Sequence, residues 1–387
     1  MASADDATVT LASRCLCKAN TFTAQVPGSK LPLPAHTCHC TSCRHVTGSL
    51  YTSSVRWPEP RADLDVSKLK AYSFTNVVNL LFCPTCSTPM FWEMLEEPDR
   101  PLIAFTGTLA NGEHTPIKFT KLIFVGDTID GGASAWLRHP NSDGSECKRF
   151  KLEAKDDAPG VTLPQDWPSA EKLTGYEQKT GDRISVRCRC NGIDLVLQRG
   201  DYSGIGREKL PWSVDPETNK LLTIFCGCDS CRLQGGIDVW FWTYVEMKHL
   251  SAAQHDVPFP KSSYELKTFV DKKDPLVGSL AYYASSTGVL RFFCSTCSAT
   301  VFFAEDERPE IVDVAVGLLD SPDGARAEGF LSWSLGVVEN GEDAKGGWRK
   351  GLFDRIEEET EQWRVGRKYP KNWRRVAMDQ KRAEGRK

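Results

Sequence analysis

The sequence predicts a mainly β protein of two metal-tied units in tandem, followed by a helical and basic C-terminal tail. Three observations predict it. Short β-branched or alternating segments such as Thr21 to Val26, Ser49 to Val55 and Asn76 to Phe82 are punctuated by Gly and Pro, with no long stretch of helical period among them. Fourteen of the fifteen cysteines fall into two copies of one pattern, and Cys147 alone is left over. The text around the cysteines repeats as well: Leu80-Leu81-Phe82-Cys83-Pro84-Thr85-Cys86 answers Leu290-Arg291-Phe292-Phe293-Cys294-Ser295-Thr296-Cys297.

The 387 residues are long enough for two cores and a tail, and 40% hydrophobic with 26% charged residues is an ordinary globular composition. A net charge of -3 selects no partner. Fifteen cysteines in a chain of this size, opening Met-Ala-Ser-Ala-Asp-Asp without a basic and apolar leader, fit reduced, metal-bound thiols better than a disulfide framework. The longest apolar runs, such as Val239 to Val245, fall far short of the roughly 20 residues of a membrane helix. The expectation is a soluble cytoplasmic or nuclear protein with no membrane partner.

Taken in order, residues 1–12 read as a loose leader. Residues 13–135 form the first unit, closed by segments at Met90-Phe91-Trp92, Leu102 to Leu109 and Lys121 to Val125, with Gly131-Gly132 at its edge. Residues 136–183 have linker composition, rich in Pro, Asp, Glu, Lys, Gly and Ser; Trp136 and Trp167 imply that this linker drapes over a domain surface. Residues 184–340 form the second unit, which carries insertions. Cys17 to Cys38 spans 21 positions but Cys190 to Cys226 spans 36, and Cys43 to Cys83 spans 40 but Cys231 to Cys294 spans 63. The added loops offer material for pocket walls. In the tail, 341–387, Leu352, Phe353, Ile356 and Trp363 share a helical face, and residues 364–387 gather ten Lys or Arg against two acids.

Soft thiolates in sets of three and four select zinc over magnesium or calcium, with iron-sulfur the lesser alternative. A Cys-x-Cys pair and a distant Cys-x-x-Cys pair make a closed four-thiolate site: Cys15, Cys17, Cys83 and Cys86 in the first unit, Cys188, Cys190, Cys294 and Cys297 in the second. Three thiols per unit remain, Cys38, Cys40 and Cys43, then Cys226, Cys228 and Cys231. Three protein ligands with an open fourth position is the form of a catalytic zinc site, and a three-thiolate centre suits an incoming thiol, held as thiolate while its sulfur adds to or leaves a carbonyl carbon. These six cysteines are the candidate catalytic set, with up to four zinc ions per chain. A wholly structural use, with a fourth ligand from a nearby His or a second chain, is the alternative. His39 reads as a surface spacer rather than a proton shuttle, since Gly227 stands at its place in the second copy; Arg44 and Arg232 could offset the anionic centre, bind a carboxylate or pair with a local acid. Gly48-Ser49 and Gly235-Gly236 read as plain turns or as room for a ligand, and Cys147 as a bystander.

At these residues the chain resembles the glutathione-dependent formaldehyde-activating enzyme family, which includes centromere protein V: Cys-x-Cys, then Cys-x-Cys-x-x-Cys-Arg, then Phe-Cys-x-x-Cys, twice. The resemblance implies a β-tent-like fold, one structural and one open zinc site per unit, and a carbon-sulfur lyase acting on S-hydroxymethylglutathione, with glutathione or a similar thiol and an aldehyde as partners. Where the family often has Gly after the last Cys-x-x-Cys, Ser87 and Ser298 stand here. The competing reading is a non-catalytic zinc-stabilised binding module whose basic, aromatic tail meets nucleic acid or an acidic partner; against it, the tail reads better as a helix with a basic end packed on a domain. A third reading has one active unit and one degenerate copy: the first keeps the fuller motif, with His39, and the second has the longer pocket-forming loops, so the sequence alone does not choose.

Overall fold

The computed structural model describes residues 7–154, 160–253 and 257–384. The chain is mainly β, with five α-helices among the described residues. In the first half, Phe22, Ala24 and Val26 alternate with exposed residues along Thr21–Pro27 (β2), which pairs antiparallel with Thr8–Arg14 (β1) to bury one face of a hairpin. The loose leader read for residues 1–12 therefore ends sooner, because Leu11 packs into the core from a paired strand; residues 1–6 lie outside the described residues.

The main sheet of this half takes Leu33–Cys38 (β3), Thr52–Arg56 (β4), Lys70–Ser73 (β5), Val78–Phe82 (β6), Pro89–Met94 (β7), Leu102–Phe105 (β8), Ile117–Ile123 (β9) and the two-residue Lys148–Arg149 (β10), in the order β10-β9-β3-β4-β8-β7-β6-β5. A short helix, Thr41–Thr47 (α1), lies between β3 and β4 where the cysteine text gives no helical period long enough to see.

The second half opens on the hairpin Arg183–Arg187 (β11) and Asp194–Gln198 (β12). Its main sheet takes Leu221–Cys226 (β13), Trp240–Glu246 (β14), Leu280–Ser286 (β17), Val289–Cys294 (β18), Thr300–Glu305 (β19), Ile311–Ala315 (β20) and Leu331–Glu339 (β22); Asp229–Gly235 (α2) lies between β13 and β14. Read from one edge, its order is β22-β13-β14-β20-β19-β18-β17, against β9-β3-β4-β8-β7-β6-β5 in the first half. In both, the strand that ends on a cysteine pairs parallel with the last strand, β3 with β9 and β13 with β22. The inserted residues build Leu250–Ala252 (β15), Val257–Pro258 (β16) and the helix Ser263–Asp271 (α3); with Leu319–Asp320 (β21), the two strands widen the hairpin to the order β16-β15-β12-β11-β21.

The exposed edges of the two sheets are closed differently. In the first half the edge strand β9 is met by β10 from the linker, with Phe150 buried beside it. In the second, the tail helix Arg349–Gly366 (α4) lies against β22, burying Leu352, Phe353 and Ile356. Side chains of α4 take edge amides of β22: Gly336 N donates to Thr360 Oγ1 at 3.0 Å and Val338 N to Glu357 Oε1 at 2.8 Å. The last helix, Trp373–Ala383 (α5), sends Arg375 Nη1 to Leu335 O at 2.9 Å.

The linker does more than drape over a surface. Trp136 is fully buried, 5.1 Å from the ring of Phe225 and 5.0 Å from that of Trp333, so it belongs to the core of the second half. Cys147, placed in the linker as a bystander, is also buried, and its Sγ donates to Phe119 O at 3.1 Å.

The halves meet through matched turns. Gly107 N donates to Gly236 O at 3.0 Å and Gly317 N to Gly48 O at 2.8 Å. Gly48 (φ 90°) and Gly236 (φ 70°) end α1 and α2 in the left-handed conformation. A Cβ on Gly48 would stand 2.3 Å from Thr300 O, so the room these glycines provide admits the other half's backbone, not a ligand. Arg349, fully buried, pins the tail to this seam: its Nε lies 2.8 Å from Asp238 Oδ1 and its Nη2 donates to Thr106 O at 2.7 Å.

Candidate metal centres

The sequence scatters the fourteen cysteines over nearly three hundred positions, and the fold gathers them into four groups, each with its sulfurs within 4.8 Å of one another. In the first half the turn between β1 and β2 supplies Cys15 and Cys17, and the turn between β6 and β7 supplies Cys83 and Cys86; in the second, Cys188 and Cys190 follow β11, Cys294 ends β18 and Cys297 follows it. None of these thiols is in a disulfide. Neighbouring sulfurs stand 3.5 to 3.6 Å apart, as in Cys15 to Cys17, Cys17 to Cys83 and Cys190 to Cys294. Four sulfurs at about 2.3 Å from one zinc ion would stand about 3.8 Å apart, so the donor sets fit a tetrahedral metal of that size. Backbone amides point at these sulfurs, Asn20 N to Cys15 at 3.3 Å and Ile193 N to Cys188 at 3.3 Å, which favours thiolate. The serines that stand in place of Gly after each Cys-x-x-Cys, Ser87 (φ 59°) and Ser298 (φ 68°), keep the left-handed backbone that closes the turn, with their amides on Cys83 O at 2.9 Å and Cys294 O at 3.0 Å.

The remaining six thiols form two groups of three. Cys38 ends β3, Cys40 is the N-cap of α1 and accepts from Cys43 N at 3.3 Å, and Cys43 lies in the first turn. Cys226, Cys228 and Cys231 repeat this on β13 and α2, with Cys231 N on Cys228 Sγ at 3.4 Å. In each group the middle cysteine is half-buried and the last is buried. Among the described residues no His, Asp or Glu joins either group as a fourth ligand. Hydrogen bonds from the Cys38 and then the Cys43 sulfur pull Cys40 well below the usual thiol range, while in the second group the Cys226 and Cys228 sulfurs, helped by Arg291 and Trp242, pull Cys231 down.

Around these groups the halves differ. His39, read as a surface spacer, is fully buried beside the Tyr51 ring, with Nε2 2.9 Å from Thr37 Oγ1; burial holds its pKa down to about 3. Gly227, at its place in the second half, leaves room for the Phe353 ring, which a Cβ would approach to 2.6 Å. Arg44 and Arg232 are both buried, and neither reaches a sulfur. Arg232 Nε bonds Asp229 Oδ1 at 3.0 Å and its Nη1 caps Gly107 O and, at 3.0 Å, Leu109 O across the seam; Arg44 Nη2 reaches Thr41 Oγ1 at 3.3 Å.

Sequence reasoning missed Trp242, Arg291 and Asn340, which touch the second group. Trp242 Nε1 lies 3.3 Å and Arg291 Nη1 3.5 Å from Cys231 Sγ, and Asn340 Nδ2 lies 3.6 Å from Cys226 Sγ. Arg291 had a signal, a charge in an apolar strand text at the place of Leu80. The insertions do not wall this group, because they extend the hairpin sheet instead; Ser279, at their end, meets the four-cysteine group, with Oγ 3.0 Å from Cys294 Sγ.

Residues 10–127 match the family model described as glutathione-dependent formaldehyde-activating enzyme. The matched stretch contains both cysteine groups of the first half. No curated protein and no solved structure matches the chain. The family points to a zinc-binding, formaldehyde-activating function, and the four cysteine groups are places where metal could sit.

Proposed function

We propose that the chain is a zinc-dependent carbon-sulfur lyase that forms or cleaves the adduct of a small thiol with an aldehyde, S-hydroxymethylglutathione being the adduct the family match suggests. The observation that carries this reading is the pair of three-cysteine groups with no fourth His, Cys, Asp or Glu among the described residues, beside four-cysteine groups that are complete. Zinc bound at three thiolates supplies a place for an exogenous thiol and removes its proton at neutral pH. The four-cysteine groups would tie the start of each half to the turn between β6 and β7 or between β18 and β19 and keep the three-cysteine loops in register.

Cys38 and Cys43 are held by β3 and α1 with their sulfurs 3.5 Å apart, and the half-buried Cys40 gives access from one side. The first turn of α1 places amides at the site, which favour negative sulfur there. In the reaction the thiol sulfur bonds the carbonyl carbon and its proton ends on the carbonyl oxygen; no oxidant or reductant is consumed. A compartment that keeps thiols reduced is the natural setting.

The test is metal content per chain followed by exchange of glutathione with formaldehyde observed by NMR. Up to four zinc ions per chain and an exchange rate that falls in C40A are expected; metal-free protein, or a rate unchanged by C40A together with C228A, overturns the proposal. Against the rival reading, a tail that meets nucleic acid, stand ion pairs within the chain. Arg374 pairs with Glu339 at 2.8 Å, Lys371 and Arg375 with Asp379 at 2.7 and 3.0 Å, and Arg364 with Glu361 at 2.8 Å, so these tail cations are engaged within the chain.

A further inference from the structure

We infer that the two three-cysteine centres divide the labour: Arg291, Trp242 and Asn340 hold the second as a charge-balanced, slow-reacting centre, and the first carries the thiol chemistry. This rests on the proposed binding of metal at both.

The inference starts from Arg291. Its side chain is buried on β18, and a buried guanidinium needs an anion or it costs several kcal/mol. Its polar partners are Cys231 Sγ at 3.5 Å, Gln234 Oε1 at 3.2 Å and Ser285 Oγ at 3.0 Å, with the Phe303 ring 5.0 Å away. Of these, the sulfur is the one that can carry charge. Three thiolates around a dication leave a net single negative charge, and one guanidinium cancels it.

Trp242 and Asn340 add to the effect. The indole N–H on Cys231 and the amide on Cys226, at 3.3 and 3.6 Å, draw electron density from two of the three sulfurs. Hydrogen bonds to metal-bound sulfur tune a centre in this way, stabilising the thiolate and blunting it as a nucleophile. The tail adds a steric element, since Phe353 packs on Gly227 in the loop between Cys226 and Cys228.

The first centre lacks the two sheet donors. Leu80 stands on β6 where Arg291 stands on β18, three residues before the last cysteine pair of each half. Ser54 stands on β4 where Trp242 stands on β14, two residues past the partner of the strand-end cysteine, and its hydroxyl turns to His36 Nε2 at 3.4 Å. At the first centre the backbone amide of Cys43 donates to Cys40, which the second centre matches with Cys231 N, and the buried Arg44 acts on Cys40 by its charge while its Nη2 hydrogen-bonds Thr41, so the contrast between the centres lies in the side-chain donors. Exposure does not separate the two, because Cys40 and Cys228 are both half-buried. A difference in their reactivity would therefore trace to the donors and to Phe353.

The experiment uses the full-length zinc-loaded protein, with zinc quantified first and alkylation by iodoacetamide followed cysteine by cysteine in digests. Cys40 should react about tenfold faster than Cys228, a difference of the size that hydrogen bonds to metal ligands produce. R291L, which installs the leucine of the first half, and W242F, which removes only the N–H, should each raise the Cys228 rate about threefold or more and leave Cys40 unchanged. In the cobalt(II)-loaded protein, W242F should shift the sulfur-to-metal charge-transfer band of one centre. Full zinc loading with Cys228 as reactive as Cys40, or with Cys228 indifferent to both substitutions, overturns the inference alone; absence of zinc overturns the metal reading beneath it. If R291L does not fold, the W242F rates and band decide.

Discussion

Leu80 and Arg291 occupy the same strand position in two sheets of the same order, and around the three-thiol groups the two halves diverge at that pair. Leucine offers the nearby three-thiol group no donor, and the buried Arg44 beside that group hydrogen-bonds Thr41; where arginine stands, the sulfurs meet a guanidinium, an indole N–H and an amide. Matched backbones thus carry centres of different electronic character, set by side chains that are not ligands. A ligand pattern identifies where metal could bind, and the residues behind it decide what the metal can do.

The strongest challenge to this comparison is to remove the metal. Chelation should unfold both halves, because a structural zinc contributes apparent binding free energy of roughly 10 to 16 kcal/mol in small domains; C86S and C297S should each loosen their own half, read as separate losses of amide-exchange protection. Next in size is the seam shared by the halves. R349M leaves Asp238 buried without its cation and should cost about 3 to 5 kcal/mol, seen as a lower denaturation midpoint with both halves affected. A sharper contrast comes from the open centres: C40A should reduce adduct turnover about a hundredfold, the loss of a group acting in the transition state, whereas C228A should change it about twofold or less. Equal losses would mean that both centres react. Smaller again, G48A should destabilise by about 1 to 3 kcal/mol and by more than G236A, since its Cβ meets the backbone Thr300 O at 2.3 Å while the other meets the side-chain Pro89 Cγ at 2.7 Å. Smallest, T360A should cost about 1 kcal/mol by freeing one edge amide of β22, with thermal melting as the readout.

Much of this arrangement could be read from the residues, and the reasons are local. Cys-x-Cys and Cys-x-x-Cys spacings are rigid constraints on where sulfur can go, so the four groups follow from the text once the repeat is seen. The alternation of Phe22, Ala24 and Val26 announces a half-buried strand, and Leu352, Phe353 and Ile356 announce the packed face of α4. What escaped is long-range. Nothing near Trp136 says that it enters the sheet of the other half, nothing near His39 says that β9 and Tyr51 enclose it, and α1 and α2 are too short to show a period. The sulfur contacts of Arg291, Trp242 and Asn340 depend on strand order, which spacing does not encode.

The exchanged hydrogen bonds of the seam, Gly317 to Gly48 and Gly107 to Gly236, have a consequence for how such a molecule can change. In an assembly of two separate identical subunits every substitution lands twice, so a residue that suits one copy is forced on the other. Joined on a single polypeptide, the partners stay together at any dilution, and each alteration lands once. That freedom lets one partner give up reactivity for durability while its neighbour goes on turning over.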